Sequence, residues 1–291
     1  MRRRWLYMLG ILIVAGGLSA AAQTPILKIR TEEVRVDILV TDDDKPITGL
    51  RADDFEVFDN GVQQKVEFVS LEQIPINATL VLDMSQSVAG ETLENLISAG
   101  NKFIDGLIKN DQAALITFGH AVKLGSPLTG ELESVKEALN RVKPFGYTSL
   151  IDACYAGLIL AESNSSRPLL VVFSDGLDTS SWLTEDMVLD IAKRSNAVVY
   201  AISAGQLPDK TFIRYLSKFT GGSLIEVEST RNLDAVFLDI LEEFRQRYLL
   251  TYLPEGVPKS GWHELKVRVK DRKVKIKARP GYQAGPERKE E

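Results

Sequence analysis

The chain has 291 residues, of which 44% are hydrophobic and 26% charged, which is typical of a globular protein with about two domains. Its formal net charge is −5, and removal of residues 1–22, which contain three arginines and no acid, would bring it to −8. This balance argues against broad electrostatic binding to nucleic acid, which requires a basic surface. The single cysteine, Cys154, lies in an apolar stretch, excludes an intrachain disulfide and is expected to be a small core residue.

Residues 1–22 have the pattern of a secretory signal peptide. The positively charged Arg2–Arg4 precedes the apolar run Trp5–Leu18, and the small residues Ser19–Ala22 follow it. The run is short for a transmembrane helix, which needs roughly 20 apolar residues. We therefore expect cleavage near Ala22, a periplasmic, extracellular or cell-envelope location, and no membrane span after cleavage. An uncleaved membrane anchor is the alternative.

Residues 26–75 predict a small β segment. The stretch Val34–Val40 mostly alternates apolar and polar side chains, as in a strand with one buried face. Asp59-Asn60-Gly61 lies between the strand-like stretches Phe55–Phe58 and Val62–Val69. It predicts a hairpin, because Asn-Gly tolerates the positive φ angles of a tight turn.

In residues 76–247, short apolar runs alternate with helical patterns. The runs are Ala78–Leu82, Ala113–Phe118, Leu169–Phe173, Ala197–Ile202 and Ser223–Val227. The helical patterns are Glu91–Ile108, Glu131–Val142, Ser149–Glu162, Thr184–Ser195, Thr211–Phe219 and Arg231–Gln246. Strands that are apolar on both faces and alternate with helices indicate an α/β fold, here a doubly wound, mostly parallel sheet covered by helices on both sides.

Residues 248–283 return to strand patterns. Tyr248–Leu253 predicts one strand, and Glu264–Val269 with Val274–Ala278 predicts a hairpin across Asp271–Lys273. Neither end segment is large enough to bury a sheet face alone. We therefore expect residues 26–75 and 248–283 to pack together as a small flanking β domain. Residues 284–291 are expected to form a mobile polar tail.

Oxygen-bearing side chains follow two predicted strands of the α/β region. The first strand runs into Asp83, Ser85 and Ser87, and the third runs into Asp175. In a parallel sheet both strand ends lie at the same edge, where ligands bind if the strand order reverses between them. Alternate residues of an extended loop point the same way, so Asp83, Ser85 and Ser87 should converge. Two close carboxylates repel each other unless a proton or a cation lies between them.

Thr148, in a neighbouring loop, would add a third hydroxyl to this set. Asp83, Ser85, Ser87, Thr148 and Asp175 offer only hard oxygen ligands, which suit Mg²⁺, allow Mn²⁺ or Ca²⁺, and disfavour zinc or copper. Each motif also has a simpler explanation, since Asp-x-Ser-x-Ser occurs in capped loops and Asp175-Gly176 in turns. Thr148 is expected to cap the next helix in any case. It is their order at strand ends that predicts a metal site.

The three segments Asp83–Ser87, Thr148 and Asp175-Gly176 resemble, in this order, the metal-ion-dependent adhesion site of von Willebrand factor A-type domains. The resemblance covers residues 76–246. The resemblance implies direct metal contacts from the two Ser and the Thr, water-mediated contacts from the acids, and completion of the shell by a partner's Asp or Glu carboxylate. The flanks Val36–Asp42, Gly49-Leu50 with Asp54-Phe55, and Arg279–Tyr282 resemble exported bacterial proteins called VWFA-related. Tyr147, where small glycines are commoner in the family, departs from the pattern and would narrow access to the ion.

Enzymatic function is not predicted. The chain has no Gly-x-Ser-x-Gly elbow, phosphate-binding loop or His-Glu-x-x-His motif, and its two histidines, His120 and His263, lack partner motifs and are expected to be structural. A phosphatase with Asp83 as nucleophile would require an acid at Ser85. We expect metal-dependent binding of a protein or peptide carboxylate. The alternative is a structural envelope component whose metal only stabilises the fold. By resemblance, Arg231–Gln246 would transmit ligand binding to the β segments.

Overall fold

The computed structural model describes residues 33–71, 74–162, 166–205 and 209–285. The expected signal peptide (residues 1–22) and residues 286–291 of the expected tail lie outside the described residues, whereas Ala284 ends a strand and is not part of a tail. Among the described helices, none is long and apolar enough to cross a membrane. The strands are β1 (Val34–Asp42), β2 (Lys45–Pro46), β3 (Phe55–Asp59), β4 (Val62–Gln64), β5 (Val66–Ser70), β6 (Ile76–Asp83), β7 (Gln112–Phe118), β8 (Val122–Thr129), β9 (Arg167–Ser174), β10 (Val198–Ala204), β11 (Ser223–Val227), β12 (Tyr248–Tyr252), β13 (Gly261–Val269), β14 (Lys275–Lys277) and β15 (Gly281–Ala284). The helices are α1 (Glu91–Asp105), α2 (Leu132–Asn140), α3 (Leu150–Ala161), α4 (Glu185–Arg194), α5 (Thr211–Phe219) and α6 (Leu233–Arg245).

The central sheet has six strands in the order β11-β10-β9-β6-β7-β8. All neighbouring pairs are parallel except β7–β8, which is antiparallel. Every residue of β6 and β9 is buried, as expected for central strands with helices on both faces. The predicted α/β class is therefore confirmed. The edge strand β8 was not predicted, because its apolar residues are few and it contains Gly125 and Pro127.

Two hydrophobic clusters pack on opposite faces of this sheet. Leu80 and Leu82 of β6 lie in the cluster formed with α1, α2 and α6, whereas Val81 lies in the cluster formed with α3, α4 and α5. This alternation follows from the period of two along a strand. Cys154 of α3 is buried in the second cluster, as predicted, and burial raises the pKa of its thiol.

Strands from both chain ends form two further sheets that share a third hydrophobic cluster. One sheet has the order β14-β1-β12-β5, with β2 also paired to β1, and the other has the order β15-β13-β3-β4. The predicted turn at Asp59-Asn60-Gly61 joins β3 to β4, and Asn60 and Gly61 both have positive φ. The predicted strand Val62–Val69 is divided, since β4 and β5 belong to different sheets.

The predicted hairpin between Glu264–Val269 and Val274–Ala278 is wrong. Strand β13 pairs with β3 and β15, whereas β14 pairs with β1 in the other sheet. The two segments contribute Val269 and Ile276 to the same hydrophobic cluster from different sheets. Burial between two sheets therefore outweighs the local tendency of the Asp271 turn, which has positive φ, to close a hairpin.

Candidate functional site

The site lies at the carboxyl ends of β6 and β9, which are direct neighbours in the central sheet. From β6 the chain continues to β7 on one side, and from β9 it continues to β10 on the other, so the strand order reverses between them. This reversal leaves a crevice at the strand ends, where ligands bind in open α/β sheets. Asp83, the last residue of β6, and Asp175, directly after β9, occupy this edge.

The Asp83 carboxylate is fully buried and held by two neighbouring residues. The backbone N–H of Ser85 donates to Oδ1 at 2.8 Å, and the Ser174 hydroxyl donates to Oδ2 at 2.7 Å. Burial raises the pKa of Asp83, the nearby charge of Asp175 raises it further, and the hydrogen bonds from Ser85 and Ser174 oppose the rise. A cation at this position would offset both destabilising effects.

Ser87 connects the loop after β6 to the loop after β9. Its hydroxyl donates to Asp175 Oδ1 at 2.7 Å, and its Oγ lies 2.9 Å from Ser85 Oγ. The structure therefore places side-chain oxygens of Ser85, Ser87 and Asp175 in one hydrogen-bonded chain beside the Asp83 carboxylate.

Thr148 reaches the same edge from the loop before α3. Its backbone N–H donates to Thr179 Oγ1 at 3.1 Å, and its carbonyl accepts from Thr179 N at 2.9 Å. An atom at the Cβ position of Gly176 would lie 3.4 Å from Thr148 Oγ1, so this hydroxyl is beside the turn that follows Asp175. All five residues predicted from the sequence thus lie at one end of the sheet.

The expected capping of α3 by Thr148 is wrong. The N-cap residue of α3 is Ser149, and the Ser149 side chain accepts no capping hydrogen bond. Residues of the loop after β9 take this role: Asp178 Oδ1 accepts from Ile151 N at 3.2 Å, and Ser181 Oγ accepts from Asp152 N at 3.1 Å. Asp178 thus orders the loop after β9 and joins it to the start of α3.

Ser174 is a site residue that the sequence analysis missed. Its contact with Asp83 joins the ends of β6 and β9 directly. Its position as the last residue of a buried strand, immediately before Asp175, could have indicated a role at the site. A hydroxyl there is buried and requires a partner, and the neighbouring strand end supplies one.

The donor chemistry suits a hard divalent cation. In the described part of the chain no group of three or more His, Cys, Asp or Glu residues could hold a metal ion. The set at this edge instead combines two carboxylates with three hydroxyls, all oxygen ligands, which Mg²⁺ accepts readily together with water. The buried Asp83 carboxylate beside a second acid is the feature of this edge that a cation would stabilise most.

Comparison with known proteins shows what the central region resembles. Residues 79–199 match the family model of the von Willebrand factor type A domain. Inter-alpha-trypsin inhibitor heavy chain H2 from Sus scrofa is 25% identical over 169 residues, which cover 53% of this chain. The match spans only 18% of that relative's length.

Two solved structures share the fold. Proximal thread matrix protein 1 from the mussel byssus, in a form with a zinc-occupied metal-ion-dependent adhesion site, has a TM-score of 0.54 at 15% identity and covers 62% of this chain and 48% of its own. A von Willebrand factor type A protein from Catenulispora acidiphila has a TM-score of 0.55 at 11% identity and covers 89% of this chain and 75% of its own. Residues 79–199 are thus similar in sequence to the von Willebrand factor type A domain, and the described chain shares its fold with these two structures.

Proposed function

We propose that this protein is a non-enzymatic binding protein that captures a protein partner through one divalent cation held by Asp83, Ser85, Ser87, Thr148 and Asp175. The observation that carries the proposal is the position of Ser87, whose hydroxyl contacts both Ser85 Oγ and Asp175 Oδ1. This contact brings the oxygens of two separate loops within the range of a single ion.

The ion we propose is Mg²⁺, with Mn²⁺ or Ca²⁺ as substitutes. Three of the five ligands are neutral hydroxyls, so the two acids leave the site with little excess negative charge once a divalent cation is bound. A carboxylate from a partner would then be attracted to the ion as well as coordinated by it. The zinc-occupied site of the mussel protein makes Zn²⁺ a necessary comparison in any titration.

Two exposed aromatic residues near this edge support a role in protein binding. Tyr147, adjacent to Thr148, is 72% exposed, and Trp182, whose backbone N–H donates to Asp152 at the start of α3, is 94% exposed. Exposed aromatic side chains are frequent anchors in protein interfaces. We propose that they contact the partner around the coordinated carboxylate, and that Tyr147 narrows the approach to the ion.

We further propose that the protein is exported, on the basis of the charged and apolar pattern of residues 1–22. N-terminal sequencing of the protein recovered from its host tests this. Cleavage near Ala22 is the expected result, and an intact N-terminus would contradict cleavage.

The alternative function is a structural one, in which the protein encloses the ion completely. Water-proton relaxation with bound Mn²⁺ separates the two functions, because only an ion with an open coordination position exchanges water with solvent. We expect Mn²⁺ to enhance relaxation when the protein is added, and a peptide with an Asp side chain to reduce the enhancement. Binding of Mn²⁺ without any enhancement would support the enclosed, structural ion.

The residues are tested by calorimetric titration of Mg²⁺, Mn²⁺, Ca²⁺ and Zn²⁺. Asp175→Asn should weaken Mg²⁺ binding by more than tenfold, because a carboxylate ligand to a hard cation is replaced by a neutral one. Asp43→Asn is the matched control, since Asp43 is exposed in the turn after β1 and Asn also tolerates its positive φ. Equal binding by the two variants would contradict the assigned ligand set.

A further inference from the structure

A cavity of about 580 Å³ lies away from the proposed metal site. It is lined by residues of β1, the carboxyl end of α4, the loop after β12, and strands β13 and β15. Helix α4 has ten residues and is about 15 Å long, with its amino end after the loop of Asp175 and its carboxyl end at this cavity. The volume is within the range of small-molecule pockets, about 300–1,000 Å³.

Three polar atoms of lining residues are buried without a protein partner. Glu33 Oε2, Arg35 Nε and His263 Nε2 are buried side-chain atoms for which the described part of the chain offers no hydrogen-bond partner. A buried polar group without a hydrogen bond costs about 1–3 kcal/mol. Arg35 Nε and His263 Nε2 thus lie at one cavity and point to a polar ligand that would satisfy both.

The imidazole of His263 is fixed in orientation by a buried network. His263 is 1% exposed, and its Nδ1 lies 2.7 Å from Asp59 Oδ1. The other oxygen of Asp59 accepts hydrogen bonds from Tyr252 at 2.9 Å and from Tyr282 at 2.8 Å. Because Nδ1 is engaged by Asp59, Nε2 is the atom that remains for a ligand, as in sites where a carboxylate orients a functional imidazole.

The charges around the cavity favour an anion. Arg35, Arg194, Lys259 and Arg279 line it, against a single acid, Glu33. Arg194 is paired with Asp190 at 3.0 Å. No described carboxylate forms a salt bridge with Arg35, Lys259 or Arg279, in a protein whose net charge is −5.

The guanidinium of Arg279 forms part of the cavity wall, where it is hydrogen-bonded to carbonyl groups rather than paired with a carboxylate. It donates to the carbonyls of Gly281, Ser195 and Lys193 at 2.8, 2.9 and 2.6 Å. Burial lowers its pKa to about 10, so it remains cationic at neutral pH. Carbonyl partners satisfy its hydrogen bonds, but its positive charge still acts on the cavity.

We propose that this cavity binds a small anion through a carboxylate or phosphate group, with Arg35 and Lys259 attracting the charge and His263 Nε2 accepting a hydrogen bond from a hydroxyl of the ligand. The site is independent of the metal site at the other end of α4. Its ligand class is an oxyanion, which guanidinium and ammonium groups bind, carrying a hydroxyl that the imidazole of His263 can accept from.

The chain's two histidines make nuclear magnetic resonance a direct test. Malate, a carboxylate with a hydroxyl, and inorganic phosphate are titrated separately into the purified full chain in metal-free buffer, and the imidazole ¹⁵N signals are followed. Assignments come from His120→Gln and His263→Gln. We expect the His263 signal to shift saturably with at least one anion and the His120 signal to stay unchanged. The responding anion identifies the group as carboxylate or phosphate.

A matched pair of lysine variants tests the location. Lys259→Gln should weaken anion binding about tenfold, the loss expected for one charge-assisted hydrogen bond. Lys266→Gln, an equal charge change on the exposed side of β13, should not affect it. The two variants should have the same melting temperature as the parent chain without ligand. An unchanged His263 signal in both titrations, or equal weakening by the two variants, would overturn the proposal.

Discussion

Replacement of Arg167 by methionine tests how the strands from the chain ends are joined to the central sheet. Arg167, the first residue of β9, donates from Nε to Asp37 Oδ1 of β1 at 2.9 Å, and its Nη2 donates to the same oxygen. The two side chains are only 3% and 7% exposed, so solvent cannot replace either partner. The guanidinium carbon also lies 4.6 Å from the centre of the Phe244 ring on α6.

Arg167→Met leaves the Asp37 carboxylate buried without its cation. Removal of one partner from a buried ion pair costs about 3–5 kcal/mol, mainly because the other charge stays buried. We therefore expect the free energy of unfolding in urea, followed by circular dichroism, to fall by that amount. Since the whole stability of a domain is about 5–15 kcal/mol, this loss would be easily measured.

The double variant Arg167→Met, Asp37→Leu separates the unpaired charge from lost packing. Removal of both charges is often neutral or stabilising, so the double variant should recover most of the loss. A loss below about 1 kcal/mol in Arg167→Met, the value typical of an exposed pair, would refute the reasoning. No recovery in the double variant would refute it equally.

Two further predictions concern acid stability and the loop of Thr148. Burial by itself raises the pKa of Glu243, but hydrogen bonds from Tyr200 and Lys277 hold it below its ordinary value of 4.5. A group whose pKa is lowered by folding stabilises the folded state above its unfolded pKa, and this stabilisation is lost as the pH falls through the folded pKa. Glu243→Gln should therefore lower the free energy of unfolding in urea by about 2 kcal/mol at neutral pH and by progressively less below pH 4.5. A difference independent of pH would contradict this. Gly119→Ala would place a Cβ 1.9 Å from the Phe145 carbonyl oxygen and displace the loop before α3. It should cost about 1–3 kcal/mol and abolish Mg²⁺ binding by calorimetry; retained binding would show that the loop position is unimportant.

The central sheet could be predicted because its strands are apolar on both faces and are separated by clear helical patterns. The site could be predicted for a related reason, since Asp83 and Asp175 follow two such strands and parallel strands end at a common edge. The edge strand β8 could not, because an exposed strand beside solvent needs no continuous apolar pattern.

The strands at the chain ends were harder to predict because their partners are distant in sequence. Hairpin chemistry is local, so the turn at Asn60-Gly61 was predicted correctly, whereas the assignment of β13 and β14 to different sheets depends on the shared core between them. The contact of His263 with Asp59 joins residues 204 positions apart, and no sequence motif predicts it. The transmission of ligand binding by α6 stays a prediction.

The most direct test of the metal site is the effect of Mg²⁺ on thermal stability. At a Mg²⁺ concentration of about 100 times the dissociation constant, binding to the folded state alone adds about 2.7 kcal/mol. For a chain of this size that corresponds to a rise in Tm of roughly 5–10 °C. We expect this rise for the parent chain and for Asp43→Asn, and none for Asp83→Ala. An equal rise in Asp83→Ala, or no rise in the parent chain with any divalent cation, would contradict it.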